Sequence, residues 1–198
     1  MEQTNKPKPG AGRWKLLTIM AVCASPLIFS YLTYYVIKPT GRTNYGALID
    51  PRQHPMPNLA ATTLDGKPAG LEAYKGKWIL LKVGPGQCDD ACRKQLFAMR
   101  QLRLMQGKEM ERIERVWLIT DATPLDTVLM REYDGTRMLR VAQAPLTRWL
   151  PVEPGDDAST HLYMIDPLGN LMMRFPKDAD PAKVKNDIGK LLKASAIG

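Results

Sequence analysis

The sequence predicts an α/β domain, a mixed central sheet flanked by helices, preceded by one N-terminal transmembrane helix. Three observations carry that expectation. Residues 16–37 contain no charged side chain, a run of about 22 residues that at ~1.5 Å per residue crosses a hydrocarbon core of ~30 Å. From residue 78 onward, short apolar runs alternate with stretches of helical spacing, the order of parallel strands connected through helices. The last two apolar runs are joined by Pro167-Leu168-Gly169-Asn170, a hairpin signal that adds an antiparallel edge.

At 198 residues the chain has room for one domain of ordinary size and an appendage. Its formal charge is +8, yet Lys and Arg are scattered among acids and no stretch interleaves them with aromatics. Nucleic acid is therefore not an expected partner, and a basic surface is common beside anionic lipid. Three cysteines, Cys23, Cys88 and Cys92, are too few for a disulfide scaffold, and Cys23 lies in the apolar run.

Residues 1–15 form a basic tail, with Lys6, Lys8, Arg13 and Lys15 against Glu2, expected in the cytoplasm. Residues 16–37 form the transmembrane helix, in contact with lipid and flanked by Trp14 and by Tyr31, Tyr34 and Tyr35 at the interfaces. A cleaved signal peptide, with Ala24-Ser25 as the cleavage neighbourhood, is the competing reading; its apolar core of about 7–15 residues is shorter than this one, which favours the anchor. The expectation is a single pass through a bacterial inner membrane with the globular part in the periplasm. Residues 38–57 are Pro-rich and polar and read as a stalk. His54 and Met56 within it are soft-metal ligand types, though exposed linker side chains are the preferred reading.

The domain spans 58–198. Residues 58–66 read as a strand entering a turn and 70–76 as a helical turn closed by Gly76. Residues 78–83 are a near-continuous apolar run, a strand covered on both faces. A helix follows from Asp89 to Gln106, with Asp89 and Asp90 in its first turn and Cys92, Leu96, Met99 and Arg103 on one side. Residues 116–121 are a second buried strand, and Pro124 opens a helix through about Tyr133. A short strand over 138–141, a helical turn over 145–150 and a loop over 151–157 follow. Strands over 161–166 and 171–175 and a closing helix over 182–194 complete the chain. This succession is that of a thioredoxin-like domain. It sets Cys88 and Cys92 after the first central strand, where open α/β sheets place their sites. Thiols at a helix N-terminus are acidified by the unpaired amides, and the thiolate is both the nucleophile of disulfide exchange and a ligand for soft metals.

Residues 58–194 resemble the Sco/SenC family, membrane-anchored thioredoxin-fold factors of cytochrome c oxidase copper-site assembly. The resemblance rests on the C-x3-C pair Cys88-Asp-Asp-Ala-Cys92, on 116–121 followed by Thr123-Pro-Leu-Asp-Thr127, and on Tyr163-Met-Ile-Asp-Pro167-Leu-Gly169. It implies copper held by the two cysteines and a distant His. Alignment on Tyr163 and Pro167 puts Ala158 at that His position, and Ala carries no ligand. His161, three residues on, shares a strand face with Tyr163 and Ile165 and is a weak substitute. Gly84-Pro-Gly-Gln87 also departs from the aromatics and prolines that flank the family's pair.

Cysteines four apart can form a disulfide when the first sits at or before the helix start, and Cys88 is then the attacking thiol and Cys92 the resolving one. The preferred function is a membrane-anchored thiol–disulfide oxidoreductase assisting oxidase assembly, its protein partner being a component of that respiratory complex. The alternatives are a Cu(I) chaperone working through Cys88 and Cys92, with His161 as a weak third ligand, and a redox-inactive thioredoxin-fold interaction module. A purely structural disulfide is a fourth use of the pair.

Overall fold

The computed structural model describes residues 11–37 and 44–198, so the basic tail over 1–10 and the first stalk residues 38–43 lie outside the described residues. The chain divides into two compact units, 1–43 and 44–198. In the first, helix α1 (Ala11–Leu32) continues as a π-helical segment, Thr33–Ile37. Among the described residues, Gly12–Ile37 is the one helix long and apolar enough to cross a membrane, by length and composition.

The second unit is built on seven strands: β1 (Ala47–Leu48), β2 (Thr62–Thr63), β3 (Trp78–Gly84), β4 (Ile113–Ile119), β5 (Thr136–Arg140), β6 (Leu162–Ile165) and β7 (Leu171–Phe175). They lie in one sheet in the order β1-β7-β6-β3-β4-β5-β2. The β3–β4 and β4–β5 pairs are parallel, whereas β6, β7 and the two edge strands pair antiparallel. The helices are α2 (Asp90–Leu104), α3 (Thr127–Glu132), α4 (Gln143–Trp149) and α5 (Pro181–Ala194).

Every residue of β3 is buried, because it is central and covered on both faces. Alternation along the strands divides the core in two. Trp78, Leu80, Trp117, Met164 and Phe175 pack with Cys92, Leu96 and Met99 of α2 and with Val184 and Ile188 of α5. Ile79, Leu81, Val116, Leu118, Tyr163 and Ile165 pack on the other side with Leu71, Leu146 and Trp149.

Several expectations change in the structure. Residues 44–57, expected as the end of the stalk, are laid along the domain. Strand β1 pairs with β7, the amides of Tyr45 and Gly46 donate to the buried Asp187 carboxylate at 2.6 and 2.9 Å, and Met56 N–H donates to Gly169 O at 2.8 Å. The strand expected over 58–66 shrinks to Thr62–Thr63, the only residues there that reach β5. The helix expected from Pro124 begins at Thr127, capped by Asp126. Arg140 takes the carbonyls of Asp121 and Thr123 at 2.6 and 2.8 Å, which holds the preceding residues out of the helix. Strand β4 starts three residues earlier than expected, with Ile113 fully buried and Arg115 tucked into the core. Helix α4 starts at Gln143 with Pro145 in its first turn, where the missing N–H has no intrahelical partner to lose. His161 precedes β6 by one residue, closing the 3-10 turn Ala158–Thr160.

Candidate functional site

Strand β3 ends in the turn Gly84-Pro85-Gly86-Gln87, which delivers Cys88 to the start of α2. Gly86 is required by close approach: a Cβ there would stand 3.0 Å from both Asp121 Oδ1 and Thr123 O. The Asp121 carboxylate accepts from Gly86 N–H at 2.9 Å and from Thr123 Oγ1–H at 2.9 Å, so the loop after β4 clamps the cysteine turn. Burial alone would raise the Asp121 carboxyl, but these hydrogen bonds and the Arg140 charge outweigh it and hold the group below the usual carboxylate range. Asp89 caps α2 by accepting from Cys92 N–H at 2.8 Å.

Cys88 and Cys92 are joined in a disulfide with Cα atoms 5.2 Å apart. Cys88 precedes the helix and is partly exposed, whereas Cys92 is 8 % exposed and sits in the core layer with Leu96 and Met99. A nucleophile from solvent thus reaches one sulfur more readily than the other. The pair opens at a helix N-terminus, where orphan amides favour an anion.

Lys82, passed over in the apolar run 78–83, belongs to the same site. Alternation places it on the face of Trp78 and Leu80, toward α2. It is 2 % exposed, and its Nζ donates to Gln95 Oε1 of α2 at 2.7 Å and lies 5.8 Å from the Trp117 ring. Burial pulls its ammonium down to about 8, with Asp89 pulling the other way. The sequence did carry a signal: a single Lys inside an otherwise apolar central strand.

The remaining candidates are placed elsewhere. His161 is 1 % exposed; Nδ1 lies 2.9 Å from Phe175 O, and since a carbonyl only accepts, Nδ1 carries the proton. Nε2 is 3.2 Å from Asp156 Oδ2, in ion-pair range but not aligned for a hydrogen bond. The ring lies edge-on to Tyr163, which packs on the sheet side opposite Cys92. Ala158 opens the turn Ala158–Thr160 and packs against the core layer of Leu81 and Tyr163, opposite Cys92, while the next residue's carbonyl, Ser159 O, accepts from Gln95 Nε2–H at 3.0 Å. His54 Nδ1 lies 3.1 Å from Trp149 O, and Met56 packs partly buried against the domain. Cys23 is exposed on α1. Among the described residues no three His, Cys, Asp or Glu side chains group so as to hold a metal. When reduced, the pair offers two thiolates, a donor set that suits Cu(I); the nitrogen that Cu(II) prefers is not supplied by His161 as it stands.

Residues 78–195 match the model of the family described as transmembrane-like, thioredoxin-like, C-terminal domain. The chain belongs to this family. Solved structures similar to this member include Sco proteins. Bradyrhizobium japonicum ScoI with copper bound is 20% identical, with a TM-score of 0.51 over 70% of this chain and 98% of that one. Yeast Sco1 with copper bound is 17% identical, with a TM-score of 0.55 over 72% of this chain and 91% of that one. The thioredoxin domain of a Bacteroides vulgatus thiol-disulfide oxidoreductase is also 17% identical, with a TM-score of 0.51 over 70% and 95%. At these identities the likeness establishes the shared fold. No curated protein matches the chain.

Proposed function

We propose that this protein is a membrane-anchored thiol–disulfide factor that exchanges disulfides with a cysteine pair of a respiratory oxidase during assembly of its copper site. The observation that carries this reading is the Cys88–Cys92 disulfide itself, with Cys88 partly exposed before the helix and Cys92 buried within it. A partner thiolate attacks Cys88 Sγ, and the Cys88–Cys92 bond breaks with its electron pair on Cys92. The partner's second thiolate then closes its own disulfide and releases Cys88. The reverse sequence reduces a partner disulfide. What supports the periplasmic location and the oxidase partner in this reading is the basic N-terminus, the apolar helix and the resemblance to Sco proteins.

A second reading, Cu(I) delivery through Cys88 and Cys92, is favoured by the copper-bound Sco structures among the neighbours. Copper is then cargo. Anaerobic titration of the reduced full-length protein with Cu(I) and Cu(II), beside Cys88→Ser and His161→Ala, separates the two. The delivery reading expects stoichiometric Cu(I) retained by wild type against a dithiol competitor and lost in Cys88→Ser; the redox reading expects Cu(I) given up to the competitor, no stoichiometric Cu(II) binding, and full exchange with a peptide carrying two cysteines four residues apart. Stoichiometric Cu(II) binding abolished by His161→Ala overturns it. Normal oxidase copper-site assembly with both cysteines replaced by Ser would leave only the interaction-module reading.

A further inference from the structure

The exchange steps above do not use Lys82, yet the fold buries it on the sheet side where Cys92 packs, bonded to Gln95 one turn along α2 from that cysteine. A buried ammonium is unfavourable unless anions or enough acceptors meet it. Lys82 has three N–H donors, and Gln95 Oε1, at 2.7 Å, is the acceptor that meets them among the described residues. Gln95 is itself pinned, its Nε2–H donating to Ser159 O at 3.0 Å, so the amide holds Nζ in one place. That place lies under the turn leading to Cys88: a Cβ on Gly84 would stand 3.5 Å from Nζ. From α2 the charged group facing the ammonium is Asp89, the residue that caps Cys92. Trp117 on β4 and Ser159 on the 158–160 turn face it without charge. Turn, helix start, strand end and 3-10 turn thus converge on a cation with donors to spare. The oxidised pair puts no anion there.

Resting on the thiol–disulfide reading above, we propose that Lys82 is a positioning cation of the exchange reaction, stabilising the thiolate left on Cys92 when the disulfide opens and so making the pair a stronger oxidant. In the opening step a bond forms between the attacking sulfur and Cys88 Sγ, the Cys88–Cys92 bond breaks, and its electron pair remains on Cys92 Sγ, facing the layer that holds the ammonium. The partner's second thiolate then displaces Cys88. Two electrons have passed from the partner dithiol to Cys88 and Cys92, and the partner's two protons go to water, from which the new thiols equilibrate. A cation near the leaving sulfur favours the reduced state and the mixed-disulfide route to it, because it interacts with a thiolate and gains nothing from a neutral disulfide.

The test uses the full chain in detergent micelles with Cys23→Ser, so that alkylation counts only the pair. Wild type, Lys82→Met and Lys82→Arg are equilibrated in dithiothreitol redox buffers at neutral pH, and the opening rate is followed by stopped flow. Lys82→Met, close in shape and without charge, is expected to lower the equilibrium constant for reduction about tenfold, about 30 mV for a two-electron couple, and to slow opening by a similar factor. Lys82→Arg should stay within about threefold of wild type. Circular dichroism of the oxidised proteins checks folding, and Lys82→Gln carries the same readout if the Met variant does not fold. A folded neutral variant within twofold of wild type in both measurements overturns the proposal, as does a folded Arg variant that shifts as far as the neutral one. If wild type itself does not exchange with dithiothreitol, the underlying thiol–disulfide reading fails first.

Discussion

Lys82 and His161 are both basic, both almost wholly buried, and both one or two residues from the end of a central strand, yet the structure treats them in opposite ways. Lys82 lies on the face of the layer that holds the disulfide and, among the described residues, is left with one acceptor for three donors. His161 lies against Tyr163 on the other side, its Nδ1–H satisfied by Phe175 O and its Nε2 beside Asp156. The first is an unfinished electrostatic arrangement that a thiolate completes. The second is a local tie between β6, β7 and the loop before them. A buried base close in sequence to a family's ligand position is thus not evidence of a ligand until its lone pairs and protons are traced.

The largest effect expected from breaking this contrast is at the cysteines. Cys88→Ser should reduce exchange with a dithiol peptide by at least about a thousandfold, since the attacked sulfur is gone; thiol-trapping kinetics on the full chain measure it. Next is a stability profile whose pH window is the one Lys82 sets. The unfolded chain holds the lysine proton up to about 10.5, whereas the folded domain releases it at about 8. Between those values the unfolded state binds more protons, so stability rises with pH and is lost as pH falls through about 8, by about 3 kcal/mol in all. Urea unfolding at pH 7 and pH 10.5 should accordingly show Lys82→Met more stable than wild type at pH 7, with the advantage fading at the higher pH. A wild-type-minus-variant difference that is flat across this range removes the buried-ammonium picture.

His161→Gln is expected to cost about 1–3 kcal/mol through the buried hydrogen bond to Phe175 O while leaving the equilibrium with dithiothreitol within twofold of wild type. A change in potential there would dissolve the distinction between the two residues. Smallest is Glu132→Gln, which breaks an exposed contact of 3.7 Å with Arg93 beside the cysteine helix; a stability change below about 0.5 kcal/mol is expected by thermal melting.

What was legible in the sequence is what is local. The buried strand at Trp78, the capped helix with Cys88 and Cys92 at its start, and the hairpin around Gly169 follow from periodicity and turn chemistry within a dozen residues. The features that were missed depend on partners far along the chain. Residues 44–57 carry the composition of a linker, and it is partners far along the chain, Asp187 more than 140 positions away and strand β7, that turn Tyr45, Gly46 and the residues after them into part of the domain. The late start of α3 depends on Arg140. Lys82 was hidden for a different reason: one charge in a seven-residue strand hardly changes an apolar average, and its meaning appears only when the strand's alternation is matched to the helix lying above it. The absence of a His at position 158 and the face that His161 shares with Tyr163 were visible in the sequence, whereas the ties of its ring to Phe175 O, fourteen positions on, and to Asp156 in the loop before it were not.

The grip of Asp187 on the backbone of Tyr45 and Gly46 also has a mechanical meaning. Tension arriving along the chain at residue 44 is taken up by two amide–carboxylate bonds to α5 and by the short β1–β7 ladder. That load enters at one edge of the sheet, with β7 and β6 between it and β3. The disulfide turn, fastened separately to the loop after β4 through Asp121, lies off that path. A domain moored in this way can be tugged by its tether without its sulfurs being moved.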